Sequence, residues 1–190
     1  MKAKLLVIAS FGLIFLLESC SSSRKSTTTV NRPSNDYEIK SHVRLKKNIP
    51  ERMIDTKTVA ADELVTYAES LQGVPYKYGS MDIKQGFDCS GFINHVFGHF
   101  NIKVPRTSSD FTNAGEEVPI SNCRRGDIIL FTGSDPGSGV VGHMGIITKN
   151  SNKKISFIHS ASGGGKGVTI SGMSDYFVMR FVKEIGRASC

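Results

Sequence analysis

Gly86-Phe87-Asp88-Cys89-Ser90-Gly91-Phe92-Ile93-Asn94-His95-Val96-Phe97-Gly98-His99-Phe100 is the stretch from which the rest of this 190-residue chain can be read. Phe92, Ile93, Val96, Phe97 and Phe100 recur at helical spacing, which predicts a helix from near Cys89 to about Phe100. Its first residue is a cysteine. A helix N-terminus presents unpaired backbone N–H groups and the positive end of the helix dipole, which lower a thiol pKa from about 8.5. The same N–H groups can hold a developing oxyanion. Small Ser90 and Gly91 would let a substrate carbonyl come close. A lone cysteine at a helix start is more often packing than nucleophile, so its partners decide the matter.

Upstream, Leu64, Val65, Ala68 and Leu71 keep helical spacing until Gly73 and Pro75, predicting an amphipathic helix over 59–72 and then a turn through Tyr76 and Tyr78. Downstream, Thr107 or Ser108 can cap a third short helix ending at Gly115. Beyond it the pattern changes to short segments rich in β-branched and aromatic residues, separated by Gly, Ser and Asn turns: 127–131, 143–149, 154–159, 168–171 and 177–183. Helices first and strands second predict an α+β domain, its N-terminal helices packed on a central antiparallel sheet. His143 begins one strand and His159 ends the next. If those strands are antiparallel neighbours joined near Asn150-Ser151-Asn152, the two imidazoles meet. A cysteine, a histidine and a polar group orienting that histidine make up the arrangement nucleophilic catalysis requires.

Other candidates are weaker. No C-x-x-C pair occurs among Cys20, Cys89, Cys123 and Cys190, so the spacing suits no zinc site. Cys123 is followed by Arg124 and Arg125, which could lower its pKa, but it precedes a strand and lacks oxyanion donors. His95 and His99 are spaced i, i+4, yet both fall outside the apolar arc of about 140° and no third ligand is apparent, so no metal is expected. Gly163-Gly164-Gly165-Lys166-Gly167 precedes a strand rather than a helix, which argues against a phosphate loop.

The composition is that of a globular chain: 39% apolar, 22% charged, 8% aromatic and no Trp. An aromatic-rich sugar-binding surface is not indicated. The net charge of +7 invites a nucleic-acid reading, but residues 1–19 hold +1, residues 20–60 hold +5 and residues 61–190 hold only +1. The basic charge sits ahead of the domain, whereas a groove tracking phosphates needs it on the domain itself. No nucleic-acid partner is expected.

Six segments, in order, carry a family resemblance: Gly73-Val74-Pro75-Tyr76, Phe87-Asp88-Cys89-Ser90-Gly91-Phe92, Val104-Pro105-Arg106-Thr107-Ser108, Arg125-Gly126-Asp127-Ile128-Ile129-Leu130-Phe131, His143-Met144-Gly145-Ile146 and His159-Ser160. Through them residues 62–185 resemble the NlpC family of cell-wall cysteine endopeptidases, a compact papain-like fold. The resemblance implies Cys89 as nucleophile, His143 as base, His159 as the group orienting it, and Tyr76 near the oxyanion. Asp88, Ser90 and Arg106 are expected at the oxyanion or substrate-binding region. It also implies hydrolysis of peptidoglycan stem peptides, typically between D-γ-glutamyl and a diamino acid, by a monomer with no metal or organic cofactor. An acyltransferase on the same frame and an inactive wall-binding lipoprotein are the alternatives. Ser80 stands where a second Gly is common, and Phe111 where Gln is usual.

The N-terminus reads as an export signal: Lys2 and Lys4, then an apolar run from Leu5 to Leu17, shorter than the roughly 20 residues of a spanning helix. Leu17-Glu18-Ser19-Cys20 resembles the bacterial lipoprotein box, with Glu18 unusual in it. Residues 1–19 are then a lipoprotein signal peptide, Cys20 the lipidated residue, 20–60 a lipid-anchored flexible tether and 61–190 the peptidase domain. Forty such residues have a root-mean-square span of roughly 35 Å. The tether's positive charge either hugs an anionic membrane face or is simply solvated. The expected location is the bacterial envelope, with the anchor in the outer membrane and the domain on its periplasmic side.

Overall fold

Leu64, Val65 and Ala68 form the buried stripe of α1, Ala61–Ser70, in a computed structural model that describes residues 54–56, 58–151, 154–163 and 167–186. The expected signal peptide, Cys20, Cys190 and most of the tether lie outside the described residues. The expected domain boundary at 61 moves toward the N-terminus. Ile54 is buried in the core and its N–H donates to the Ala114 carbonyl at 2.9 Å, and Thr56 is buried as well.

After α1 the chain turns at Gly73, whose φ of +87° suits glycine. It then runs beside a later strand: Gly73 N–H donates to the Val168 carbonyl and Val168 N–H to the Val74 carbonyl. A short hairpin with two residues in each strand follows, β1 (Met81–Asp82) against β2 (Gly86–Phe87). It leads directly into α2, Cys89–His99, which buries Phe92, Ile93, Val96 and Phe97.

Six further strands, β3 (Glu116–Val118), β4 (Ile128–Thr132), β5 (Val141–Ser151), β6 (Lys154–Ala161), β7 (Gly167–Gly172) and β8 (Phe181–Gly186), form one antiparallel sheet in the order β3-β8-β4-β5-β6-β7. Both faces of its centre are covered. Ile128, Leu130, Met144, Ile146 and Ile158 belong to the core shared with α1 and α2. Ile129, Phe131, Ile147 and Phe157 form a second cluster with Cys123, Met173 and Phe177. Every residue of β4 is therefore buried, which is why it reads as a continuous apolar run and not an alternation.

Two expected elements differ. The segment 107–115 holds only a 3-10 turn, Ser109–Asn113, seated on the fully buried Phe111. The strand expected over 177–183 begins later. Asp175–Val178 forms a single helical turn, α3, and only Phe181–Gly186 is strand. The edge strand β3 and the hairpin β1–β2 were not expected.

Candidate active site

Cys89 is the first residue of α2, and its backbone is fixed from both sides. Asp88 is the N-cap, accepting from the Gly91 N–H. Gly91 lets the helix press against the preceding loop; a Cβ there would lie 2.0 Å from the Ser80 carbonyl oxygen. Arg106 closes the arrangement. Its guanidinium donates to the Asp88 carboxylate at 3.1 Å, to the Ser90 hydroxyl at 2.9 Å and to the Gly79 carbonyl at 2.9 Å. The side chains of the three residues expected at the oxyanion or substrate-binding region thus engage one another. Asp88, Ser90 and Arg106 hold one another and the start of the helix, and none of the three lines the cleft into which Cys89 opens.

That cleft, of about 630 Å³, is lined by Tyr76, Cys89, His143 and His159 together. A larger groove of about 990 Å³, beside Asn94, Gly98 and Ile102, holds no cysteine or histidine. β5 and β6 are antiparallel neighbours, with Ile146 opposite Ile158. Register and pleat put His143 and His159 diagonally on one face. Their rings meet with His143 Nε2 2.7 Å from His159 Nδ1. Gly145 makes room for the pair, since a Cβ there would lie 3.3 Å from that of His159. Phe131 and Phe177 pack around the two rings.

The chain of contacts continues to a residue that sequence reasoning missed. His159 Nε2 lies 2.9 Å from the Ser171 hydroxyl on β7. The only available signal was the pairing of 154–159 with 168–171, which a sequence alone does not register. One set of tautomers along this series leaves His143 able to act as a base. His143 Nε2 is engaged by His159, so Nδ1 is the ring nitrogen left to act as base. Nε2–H then donates to His159 Nδ1, and His159 Nε2–H donates to Ser171.

Burial sets the protonation states. It pulls His143 down to about 4; His159 falls to about 3, from burial and then from the neighbouring ring. Cys89 is pushed up to about 11, by burial first and by the Asp88 carboxylate second, against the opposing pull of the helix N–H groups. The expected depression of this thiol is thus reversed in the resting site: thiol and imidazole are both neutral at neutral pH. Tyr76 is also raised, by burial and then by Cys89 and Asp88, so its hydroxyl remains a donor. The thiol lies 3.9 Å from the Gly142 carbonyl oxygen.

Cys123 stands apart. It is buried in the second cluster and pushed up to about 12, by burial and then by Glu184 and Asp127. Arg125, which follows it closely in sequence, turns instead to Asp62 and Glu69 on α1. His95 and His99 pack on Tyr67, and the His95 ring lies 3.1 Å from its hydroxyl. Ser80 supplies its carbonyl to the Asp88 N–H at 3.1 Å.

With this geometry in place, comparison with known proteins is informative. The chain is similar to the murein DD-endopeptidase MepS/murein LD-carboxypeptidase of Escherichia coli K12, at 32% identity over 137 residues, covering 72% of this chain and 65% of that protein. It is 31% identical over 86 residues to a γ-D-glutamyl-L-lysine dipeptidyl-peptidase of Bacillus subtilis, covering 45% of this chain and 28% of the other. The matched stretch thus spans less than two-thirds of these relatives. The crystal structure of an NlpC/P60 family protein from Bacillus cereus superimposes with a TM-score of 0.62 at 26% identity, covering 70% of this chain and 42% of that one. The sequence profile of the NlpC/P60 family matches residues 73–187, from the turn after α1 through the last strand. That span contains Cys89, His143 and His159 in one cleft, and the chain belongs to the NlpC/P60 family.

Proposed function

We propose that this protein is a lipid-anchored peptidoglycan endopeptidase that cuts stem peptides, typically between a D-γ-glutamyl residue and a diamino acid, through an acyl-enzyme on Cys89. The observation that carries the reading is the 2.7 Å contact between His143 and His159 in the cleft that Cys89 opens into. The named activities of the relatives, on murein and on γ-glutamyl peptides, support the substrate class.

In the first half-reaction the Cys89 sulfur attacks the scissile carbonyl carbon as its proton passes to Nδ1 of His143. The C–S bond forms and the carbonyl electrons move onto oxygen. The N–H groups opening α2 and the Tyr76 hydroxyl stabilise that oxyanion. The imidazolium stays oriented by His159, itself held by Ser171, and returns its proton to the leaving amine as the C–N bond breaks. Water then attacks the thioester with His143 as base, releasing a carboxylate and restoring the thiol. Starting from a neutral pair, the proton moves during attack and not before it.

Cys20 is proposed as the lipidated residue, placing the domain on the periplasmic side of the outer membrane. Zymography on purified cell wall, with mass analysis of the released fragments, tests the activity. The full chain is expected to release fragments ending at the glutamyl residue, and Cys89→Ala none. Clearing by the Cys89→Ala protein would overturn the mechanism. Transfer of the acyl group to an added amine in place of water would favour an acyltransferase.

A further inference from the structure

Among the described residues eighteen line the catalytic cleft, and Arg180 alone of these is a lysine, arginine, aspartate or glutamate. With His143 and His159 neutral, the permanent charge that the described residues give the cleft is that one guanidinium. It has no carboxylate partner within ion-pair distance among the described residues. Its Cζ lies 3.8 Å from the centre of the Tyr176 ring, and Nη1 donates to the Tyr176 carbonyl at 3.2 Å. The stack holds the plane of the fork while leaving donors uncommitted.

Among the described residues three buried side-chain polar atoms have no hydrogen-bond partner, and two belong to this end of the cleft: Arg180 Nε and Thr132 Oγ1. They are neighbours, since the Thr132 N–H donates to the Arg180 carbonyl at 2.7 Å. Buried polar atoms are ordinarily paired, so Nε and Oγ1 hold hydrogen-bonding capacity that the described residues leave unused. Arg106, the other arginine near the helix start, is already bound to Asp88, Ser90 and Gly79.

We propose that Arg180, with Thr132 beside it, binds a free carboxylate of the stem peptide while the peptide lies in the cleft. The inference rests on the function proposed above and specifies its substrate. A planar guanidinium matches a carboxylate with two parallel N–H donors. The substrate offers two. A γ-glutamyl linkage uses the side-chain carboxyl, so the α-carboxylate of that residue stays free; the other source is the peptide C-terminus. Arg180 binds the part of the substrate that does not react, so its effect falls on KM rather than kcat.

The test uses the full chain and three synthetic peptides: L-Ala-γ-D-Glu-L-Lys-D-Ala, the same peptide with the glutamyl α-carboxylate as its amide, and the same peptide with the C-terminal carboxylate as its amide. In the wild type one of the two amidations should raise KM about 10- to 100-fold, the range for a charge-assisted hydrogen bond, and it identifies which carboxylate is bound. Arg180→Gln should raise KM for the free acid by a similar factor, no longer distinguish acid from that amide, and leave kcat within about 3-fold. Arg180→Lys, which keeps the charge but not the fork, should fall between and serves if the Gln variant folds poorly. Equal turnover of all three peptides by the wild type, or an Arg180→Gln protein impaired equally on all three, overturns the carboxylate assignment alone. A wild type that cuts none of them and releases nothing from purified cell wall overturns the function itself, and the assignment with it.

Discussion

His143, the base in the proposed mechanism, is held neutral by the company it keeps, and the expected pH dependence follows. A base whose pKa is lowered stays unprotonated to more acidic pH. With His143 pulled down to about 4 by burial, kcat/KM should hold level as pH falls through the ordinary histidine value of about 6.5 and decline only toward pH 4. The profile should be measured with circular dichroism alongside, because the unfolded chain takes up these protons near 6.5 and stability declines below that value. A limb centred at 6 to 7 in folded protein would contradict a neutral resting pair. Removal of the orienting groups should be graded by distance from the reacting atoms. His159→Ala should lower kcat less than His143→Ala, and Asn or Gln at 159 should retain more activity than Ala, since either still accepts from His143 Nε2. Ser171→Ala, which removes one hydrogen bond further out, should cost about 2- to 10-fold in kcat. If Ser171→Ala proved as damaging as His159→Ala, the graded relay would be wrong.

At the scale of elements, β8 carries a carboxyl that the proposed catalytic cycle does not use. Glu184 pairs with Ile129 on β4 and Val118 on β3; it is buried, and Oε1 has no partner. Its pKa is raised to about 8 by burial and then by Asp127 and Glu117, with its own backbone N–H pulling the other way. A carboxyl raised in the fold contributes stability that is complete below the unfolded value and lost as pH rises through the folded one. Glu184→Gln should therefore match the wild type in melting temperature at pH 4 and exceed it by a growing margin to pH 8, reaching about 1–3 kcal/mol. A difference that did not change with pH would refute this. The same strand shows where sequence reading stopped. Phe177 and Val178 look like strand residues, but Ser174-Asp175 opens a helical turn that sequence periodicity over four residues cannot reveal. By contrast α2 and the β5–β6 hairpin were legible, because eleven helical residues with one apolar face, and two strands with a polar turn between them, each carry their own signal. The clamp of Arg106 on Asp88 was not, since its partners are distant in sequence. Nor was the raised thiol: the helix start is visible in the sequence, but the burial and the Asp88 carboxylate that outweigh it are not.

For the whole molecule, the question is how the proposed lipid anchor would limit the reach of the proposed catalytic cleft. The apolar run from Leu5 to Leu17 is too short to span a membrane, so a retained helix is a poor anchor. Two or more acyl chains on Cys20 would hold stably where one would be marginal. The stretch from Cys20 to Ile54, the first described residue of the core, would then set the reach of the cleft. Anchor and catalysis are separable on this reading, because every catalytic group lies within the family span of 73–187. Cys20→Ala should abolish incorporation of labelled fatty acid and release the protein from the membrane fraction of the bacterial host, while kcat/KM on a soluble stem peptide stays within about 2-fold. Cleavage of wall in intact cells should fall, since the loss is of local concentration and not of chemistry. Unchanged membrane retention, or continued fatty-acid labelling, would remove Cys20 as the anchor. Lost activity on the soluble peptide would show instead that the segment before Ile54 supports the cleft directly.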